Sequence, residues 1–179
     1  MTARVQVAII GSGPAGLSAA ARAAALGLSH VLLEKTDHLS DTIFKYQKGK
    51  LVMATPTRLD LRSDCDFGEG IREDILATWG RQMAEQKVDI AYNAEVVAVE
   101  GAQGDFTIRT GRGGEFHAEY IVLAIGTQGN PNRMRCPGGD LPHIVYQLDD
   151  PADYQDQHVT VVGSGDAGIE NALGLAEAA

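Results

Sequence analysis

The feature that most constrains this chain is a glycine-rich hexapeptide, GSGPAG, which runs from Gly11 to Gly16. The preceding segment, VQVAII, is short and rich in β-branched residues, which is typical of a buried parallel strand. The following segment, LSAAARAAALG, favours a helix that ends at Gly27. Because HVLLEK then resumes as strand-like sequence, the pattern predicts one βαβ unit.

The glycine turn has the residues that a pyrophosphate requires. Gly11 permits the tight turn, Gly13 lets phosphate approach the backbone, and Gly16 lets the helix pack closely on the strand. The helix start presents free N–H groups and a positive dipole end, and Pro14 is tolerated there. Glu34 has the spacing of an acid that binds ribose hydroxyls and would repel a 2′-phosphate. The turn is therefore predicted to bind a dinucleotide other than NADP, with a purely structural turn as the alternative.

A second copy of the hexapeptide, GSGDAG, follows the apolar segment HVTVV near the end of the sequence. Gly163, Gly165 and Gly168 repeat the three glycine roles, and Asp166 is a favourable acid in the first helical turn. The residue that selects NAD or NADP is expected about 20 positions further on, beyond Ala179. Since one βα unit cannot bury its own faces, we expect a fragment with an unfinished second site, or strands supplied from outside the chain. A stub that binds nothing is the alternative.

The middle of the chain predicts one amphipathic helix and a small antiparallel sheet. Ile71, Ile75, Trp79 and Met83 recur every four residues, which predicts a helix with Trp79 and Met83 in the core. EVVAVE, DFTIRT and EFHAEYIVLAIG are strand-like, and GRGG between the last two predicts a hairpin turn. The sequence therefore predicts a three-stranded antiparallel crossover around residues 95–124.

Composition excludes several functional classes. The formal net charge is −9 without a basic patch, which argues against nucleic-acid or anionic-membrane binding. No apolar run approaches the length of a membrane span, and no signal peptide is recognisable. Cys65 and Cys136 make no disulfide framework, which favours a cytoplasmic location. Cys65 lies between two aspartates and is predicted to be a poor nucleophile, whereas Cys136 is interpreted as a plain linker thiol. The scattered histidines predict no metal site.

Three segments, in order, resemble a known family. The segment from VAIIGSGPAG to VLLEK resembles the FAD fingerprint of the FAD-dependent pyridine nucleotide-disulfide oxidoreductases. YIVLAIGTQGNP resembles their second flavin-contacting segment, and VTVVGSGDAGIENALGLAE resembles their pyridine-nucleotide fingerprint. The spacing is similar to that of the thioredoxin reductase-like branch. No Cys-x-x-Cys pair precedes the second glycine turn, so the chain looks like members that lack it, such as the bacillithiol disulfide reductase-like and ferredoxin reductase-like groups.

The resemblance implies FAD at the first turn, and NADH or NADPH at the second turn in the intact protein. Glu34 would bind the adenosine ribose with Lys35 beside it, and Val96 would contact the adenine through its backbone. Thr42, together with Ile43 and Tyr46, is a candidate for flavin-ring contacts, with a surface meander as the alternative. The cofactor-binding residues implied are Gly11, Ser12, Gly13, Pro14, Ala15, Gly16, Glu34, Lys35, Thr42, Val96, Ala124, Gly126, Thr127, Gly163, Gly165, Asp166 and Gly168.

The expected fold is α/β. We expect a Rossmann-like FAD-binding domain, with a parallel sheet, helices and the antiparallel crossover, followed by the first βα unit of a second dinucleotide-binding domain. The predicted boundaries are 1–130 for the FAD-binding domain, 131–157 for a linker and 158–179 for the start of a truncated NAD(P)-binding domain. Four of the six prolines fall near the linker, at residues 127–156.

The resemblance also implies an activity. We expect the FAD-binding portion of an NAD(P)H-dependent flavin oxidoreductase, which passes hydride from nicotinamide to FAD and on to an unassigned electron acceptor. No catalytic side chain is assigned. The family's Gly-Asp segment, which contacts FAD late in the chain, would lie beyond Ala179, so weakened FAD affinity is expected. The alternatives are a non-catalytic Rossmann-type nucleotide-binding module and an inactive truncated fragment, and a homodimer is an open alternative to a monomer.

Overall fold

The structure, a computed structural model, describes residues 4–53, 63–128 and 132–178 of the chain. Within them, no helix combines the length and apolar character needed to cross a bilayer. The elements in chain order are β1 (Val5–Ile10), α1 (Pro14–Ala25), β2 (His30–Leu33), α2 (Asp41–Phe44), β3 (Leu51–Val52), β4 (Gly70–Ile71), α3 (Arg72–Glu85), β5 (Ile90–Ala91), β6 (Val96–Ala102), β7 (Asp105–Thr110), β8 (Glu115–Leu123), a 3-10 helix (Pro151–Tyr154) and α4 (Asp166–Ala178). The chain forms two compact units, of which the first comprises Met1–Phe44 and Leu51–Gly129.

The first unit is built on a six-stranded mixed sheet with the strand order β5-β2-β1-β8-β7-β6. The strands β5, β2, β1 and β8 run parallel to one another. The strands β6, β7 and β8 form an antiparallel meander. The predicted βαβ unit and three-stranded crossover are thereby confirmed, and β8 joins them into one sheet. The short strands β3 and β4 pair separately as an antiparallel ribbon.

One face of the parallel strands packs against helices. Ile9 and Leu32 are direct neighbours in the β1–β2 register and are fully buried. The helix α1 contacts β1, β2 and β8, and its Leu17 is also fully buried. Burial of a side chain of this size contributes roughly 1.5–3 kcal/mol. Because side chains alternate along a strand, the consecutive buried residues Ala8, Ile9 and Ile10 show that the second half of β1 is covered on both faces.

The opposite face forms a second apolar cluster. Ala8 of β1 pairs with Val31 of β2, and both lie in a cluster with Ala94, Ile108 and Ala118. These last residues come from β7, β8 and the segment before β6, so the antiparallel meander supplies the cover for this face. The sheet therefore fixes the carboxyl ends of β1, β2 and β8 at one common edge.

The helix α1 ends where the sequence predicts. Gly27 has φ +68°, the left-handed conformation that glycine adopts without strain. Its N–H donates to the carbonyl of Ala24 at 2.9 Å, and that of Leu28 donates to Ala23 at 3.0 Å. This is the hydrogen-bond pattern of a Schellman cap.

The helix α3 agrees with the predicted apolar period at all positions but the first. Ile75, Trp79 and Met83 are buried, at 6%, 4% and 1% exposure, which confirms Trp79 and Met83 as core residues. Ile71 instead precedes the helix as its N-cap residue and is 46% exposed. Ile71 was predicted as the first residue of the helical period, but it ends β4 with extended backbone angles and the helix begins at Arg72.

The second unit comprises Lys45–Lys50 and Asn130–Ala179. It is mostly irregular, and the Tyr146 hydroxyl organises part of it by accepting from the Met134 N–H at 2.9 Å and donating to the Gly139 carbonyl at 2.7 Å. The helix α4 forms as predicted, although none of its described residues is buried. Lys50 pairs with Glu170 of this helix at 2.5 Å.

The strand predicted over HVTVV is not present. The described residues 158–165 carry no strand, and Val159 and Val162 are 43% and 73% exposed. A parallel strand is stabilised by hydrogen bonds to neighbouring strands, and no described strand pairs with this segment. Apolar β-branched sequence was therefore sufficient to suggest a strand but not to form one.

Candidate functional site

The first glycine turn connects β1 to α1 at the carboxyl edge of the sheet. Gly11 has φ +99°, a conformation that strains any residue with a side chain. A Cβ on Gly11 would lie 2.5 Å from the carbonyl oxygen of Ala124, and one on Gly16 would overlap the carbonyl oxygen of Gly11. Both glycines are thus required by close backbone approach, as the sequence predicts.

Gly13 differs from both of these glycines. Its φ of −69° is ordinary, and a Cβ built on it would meet no heavy atom within 4 Å. Gly13 is the N-cap of α1, makes no side-chain capping bond, and precedes Pro14 at the first helical position. Pro14 and Ala15 are exposed. The absence of a side chain at Gly13 therefore leaves open space beside the N–H groups that begin the helix.

Glu34 follows β2 directly and lies next to this turn. It is only 4% exposed. One carboxylate oxygen, Oε2, accepts from the N–H of Ser12 at 3.1 Å and from its hydroxyl at 2.5 Å. The other, Oε1, accepts from the N–H and the hydroxyl of Thr36, each at 3.0 Å. All four acceptor positions of the carboxylate have donors from the chain.

Ser40 completes this cluster. Its N–H donates to the Ser12 hydroxyl oxygen at 2.9 Å, and its own hydroxyl donates to the Ser12 carbonyl at 2.8 Å. Ser40 has φ +56°, which costs a residue with a side chain about 1 kcal/mol. We call Ser12, Glu34, Thr36 and Ser40 the hydroxyl–carboxylate cluster. Sequence reasoning identified Ser12 and Glu34 but missed Thr36 and Ser40, because isolated Ser and Thr residues after a strand give no distinct signal.

Glu34→Gln is expected to lower the free energy of unfolding by about 2 kcal/mol. The glutamine NH₂ group would face either the Ser12 or the Thr36 N–H, and a backbone N–H cannot turn to accept a hydrogen bond. Urea unfolding followed by circular dichroism measures this loss. Glu69→Gln, at an exposed position, is the matched control and should change stability by less than about 0.5 kcal/mol. Equal stability of the two variants would contradict a structural role for the Glu34 charge.

The structure places two further predicted residues on the segment after Glu34. The Lys35 ammonium lies 3.3 Å from an Asp41 carboxylate oxygen, so its charge is paired within the segment. Thr42 is exposed on the short helix α2, whereas the adjacent Ile43 is buried. Tyr46 belongs to the second unit, where the Lys50 ammonium lies 4.8 Å from its ring centre.

The predicted adenine-contacting strand is connected to Glu34 through its backbone. The N–H of Ala94 donates to the Glu34 carbonyl at 2.8 Å, and Val96 begins β6 two residues later. Tyr92 comes between β5 and Ala94. Burial and then the negative charge of Glu34 raise the pKa of the Tyr92 phenol. Tyr92 was not identified from the sequence.

The segment after β8 lies against the glycine turn. The Ala124 N–H donates to the carbonyl of Ile10 at 2.8 Å. A Cβ added to Gly16 would lie 3.4 Å from the Cβ of Ala124. Gly126 has φ +64°, and Thr127 next to it is exposed. Residues 129–131, at the end of the segment predicted to contact the flavin, lie outside the described residues. The predicted residues of the first site, apart from Thr42 and Val96, thus follow the carboxyl ends of three parallel strands, where open α/β sheets bind ligands.

The second glycine turn reproduces the first. Gly163 has φ +126°, a Cβ on Gly165 would meet nothing within 4 Å, and one on Gly168 would overlap the Gly163 carbonyl oxygen. The N–H of Ile169 donates to the Gly165 carbonyl at 3.0 Å. In the first turn, the N–H of Leu17 donates to the Gly13 carbonyl at 2.9 Å. Asp166 begins α4 and is exposed. The hexapeptide therefore specifies its turn even where no strand precedes it.

Neither cysteine belongs to this site. Burial raises the pKa of the Cys65 thiol, and the charge of Asp64 acts in the same direction. The weak nucleophile predicted at Cys65 is confirmed, although burial contributes more than the neighbouring aspartate. Cys136 is exposed and free. Among the described residues, no group of three or more His, Cys, Asp or Glu side chains could bind a metal ion.

The two thiols are expected to react with Ellman's reagent at rates that differ by more than about tenfold. The exposed Cys136 should react promptly, whereas Cys65 is buried and burial raises the pKa of its thiol. Release of the coloured thiolate, followed in native and denatured protein, counts the two thiols separately. In the Cys136→Ser variant, fast labelling of the native protein would contradict the buried position of Cys65.

Comparison with known proteins identifies relatives along the whole chain. The ferredoxin–NADP reductase of Ignicoccus hospitalis is 29% identical over 94% of this chain and 52% of its own length. The bacilliredoxin reductase Bdr of Bacillus subtilis is 27% identical over 93% of this chain and 52% of its own length. The chain thus spans about half the length of these curated relatives.

A solved structure shares the fold closely. The bacillithiol disulfide reductase Bdr of Staphylococcus aureus superposes with a TM-score of 0.86 at 26% identity, covering 99% of this chain and 55% of that one. The family profile described as pyridine nucleotide-disulphide oxidoreductase matches residues 8–179, which include both glycine turns and all of the mixed sheet except the first three residues of β1. On this match, and on the turn geometry that agrees with it, the chain belongs to the pyridine nucleotide-disulphide oxidoreductase family.

Proposed function

We propose that the first unit binds FAD, and that the intact protein passes hydride from NADH or NADPH to FAD and on to an electron acceptor. The observation that carries this proposal is the first glycine turn, in which open space at Gly13 lies at the start of α1 and next to the buried carboxylate of Glu34. Family membership and the names of the reductase relatives support it.

The described residues fit a dinucleotide. A pyrophosphate needs close backbone approach and unpaired N–H donors, and Gly13 with the beginning of α1 supplies both. A ribose needs a fixed acceptor, and the hydroxyl–carboxylate cluster holds the Glu34 carboxylate in one position. The open space that a Cβ at Gly13 would fill is therefore the part of the structure that fits FAD most directly.

The residues of the two glycine turns and their neighbours have distinct roles in binding the cofactors. FAD, when bound, supplies the ring that accepts hydride. Gly13, Ala15 and Gly16 bind the pyrophosphate, Glu34 orients the adenosine ribose, and Ala124 supports the turn from the neighbouring strand. Lys35, Thr42, Val96, Gly126 and Thr127 remain predicted cofactor contacts. At the second turn, Gly163, Gly165, Asp166 and Gly168 are predicted contacts for NAD(P)H.

The acceptor and the assembly are further parts of the proposal. A ferredoxin or a low-molecular-weight disulfide is proposed as the acceptor, because relatives carry these names. The two free cysteines support a reducing, cytoplasmic location. A homodimer remains a proposal that light scattering would test. The domain boundaries at 130 and 157 likewise remain predictions.

The test uses the purified chain of 179 residues and added FAD. We expect saturable FAD binding, seen as quenching or polarisation of flavin fluorescence, and yellow protein after gel filtration. Bleaching by NADH or NADPH without oxygen would extend the activity to this chain. Protein that takes up no added FAD would overturn the proposal.

A non-catalytic dinucleotide-binding module is the second candidate. It is favoured by the second unit, in which the turn at Gly163 forms without a strand before it and α4 has no buried residue among those described. Flavin that binds but is bleached by neither nicotinamide coenzyme would favour this candidate for the chain by itself.

A further inference from the structure

Thr36 is placed between two acceptors. Its hydroxyl oxygen lies 3.0 Å from Glu34 Oε1 and 2.9 Å from the carbonyl oxygen of His38. A hydroxyl has a single proton, so it donates to one of these acceptors at a time. If the hydroxyl turns away from Glu34, its proton still has an acceptor on the same segment. The Thr36–Glu34 bond can therefore be exchanged without leaving a buried donor unpaired.

The other hydroxyl of the cluster has no such freedom. Ser12 is 1% exposed, donates its proton to Glu34 Oε2, and accepts from the Ser40 N–H. Among the described residues, Glu34 is the acceptor that the structure gives to this proton. The Ser12 and Thr36 N–H groups belong to the backbone and cannot turn. Of the four donors around Glu34, the Thr36 hydroxyl is thus the one that can leave.

Exposure agrees with this difference. Ser12, which bonds to Oε2, and its partner Ser40 are both buried, at 1% and 2%. Thr36 is only partly buried and lies on the Oε1 side. The side-chain donor on Oε1 is therefore more exposed than the side-chain donor on Oε2.

We propose that Glu34 Oε1 is the atom that accepts the ribose hydroxyl of the dinucleotide, and that the Thr36 hydroxyl occupies its place in the free protein. On binding, the ribose hydroxyl replaces the Thr36 hydroxyl at Oε1, and the Thr36 proton turns to the His38 carbonyl. The number of hydrogen bonds to the carboxylate is conserved. This inference rests on the proposed FAD site and identifies Thr36 as a positioning residue whose hydroxyl competes with the ligand.

The exchange at Oε1 predicts how substitutions at Thr36 change the affinity for FAD. Thr36→Val removes the competing hydroxyl and keeps both the shape and the backbone N–H, so the dissociation constant for FAD should be unchanged or fall by up to about fivefold. Thr36→Ser keeps a hydroxyl and should bind as the unmodified chain does. Ser12→Ala removes a fixed partner of Glu34 and should weaken FAD binding by about tenfold. Fluorescence titration with FAD measures all three variants.

The outcomes separate this inference from the proposed function. If the unmodified chain binds FAD but Thr36→Val binds it measurably more weakly while Thr36→Ser does not, the hydroxyl assists binding and the inference is overturned alone. If the unmodified chain does not bind FAD, both are overturned. Should Thr36→Val lower stability, a crystal structure of the unmodified chain with FAD decides instead: ribose oxygen at Oε2 would contradict the exchange, and ribose oxygen at Oε1 would support it.

Discussion

Gly13→Val is expected to weaken FAD binding by more than about 100-fold while the chain remains folded. A side chain at this position would meet no atom of the protein within 4 Å, and φ is −69°, so the folded state can accommodate it. The same side chain would fill the space that the pyrophosphate requires. Valine is a poor N-cap, so a stability loss of up to about 1 kcal/mol is expected. Flavin fluorescence titration, with thermal unfolding in parallel, measures both quantities.

The second turn provides the matched control. Gly165→Val makes the same substitution at the corresponding position, where a Cβ also meets nothing within 4 Å. It should leave FAD affinity unchanged within about twofold, because the proposed FAD contacts at the glycine turn lie in the first unit. If the Gly13→Val protein binds FAD as tightly as the unmodified chain does, the pyrophosphate does not bind at this turn.

Gly16→Ala is expected to have the opposite profile and to lower the free energy of unfolding by about 3 kcal/mol. Its Cβ would overlap the Gly11 carbonyl oxygen, which is backbone and can move only if the turn between β1 and α1 opens. Loss of FAD binding would follow from loss of the turn. Denaturant unfolding monitored by circular dichroism measures the effect.

Gly80 in α3 is the control for a glycine within a helix. A Cβ there meets nothing within 4 Å, so Gly80→Ala should raise stability by up to about 1 kcal/mol through better helix propensity. Two Gly→Ala changes in helices of the same unit should thus act in opposite directions. If both stabilise the chain, the close approach of Gly16 to Gly11 is not present in solution.

Much of the first unit could be predicted because its signals are local. The glycine turn, the helix that follows it and the end of that helix at Gly27 each depend on residues a few positions apart. Glu34 was identified by its spacing after the turn, and the structure places its carboxylate on the backbone N–H of Ser12. Local signals of this kind can be identified in a single sequence because they do not depend on residues far away in the chain.

The remaining features depend on contacts that a single sequence does not display. Ser40 joins the site through Ser12, far away in the chain, and no residue pattern marks that contact. Lys87 has φ +55° at the end of α3. Glycine is the usual residue at such a position, and without it the sequence does not indicate where the helix ends. The strand expected over HVTVV lacked a pairing strand among the described residues, and periodicity cannot supply one.

The second glycine turn closes through atoms only a few residues apart, since Gly168 packs against the carbonyl of Gly163 and Ile169 bonds to Gly165. Such short-range closure costs little chain entropy and is fast, whereas pairing of distant parallel strands is slow. During synthesis on the ribosome, a glycine turn closed in this way can therefore form before distant strands pair.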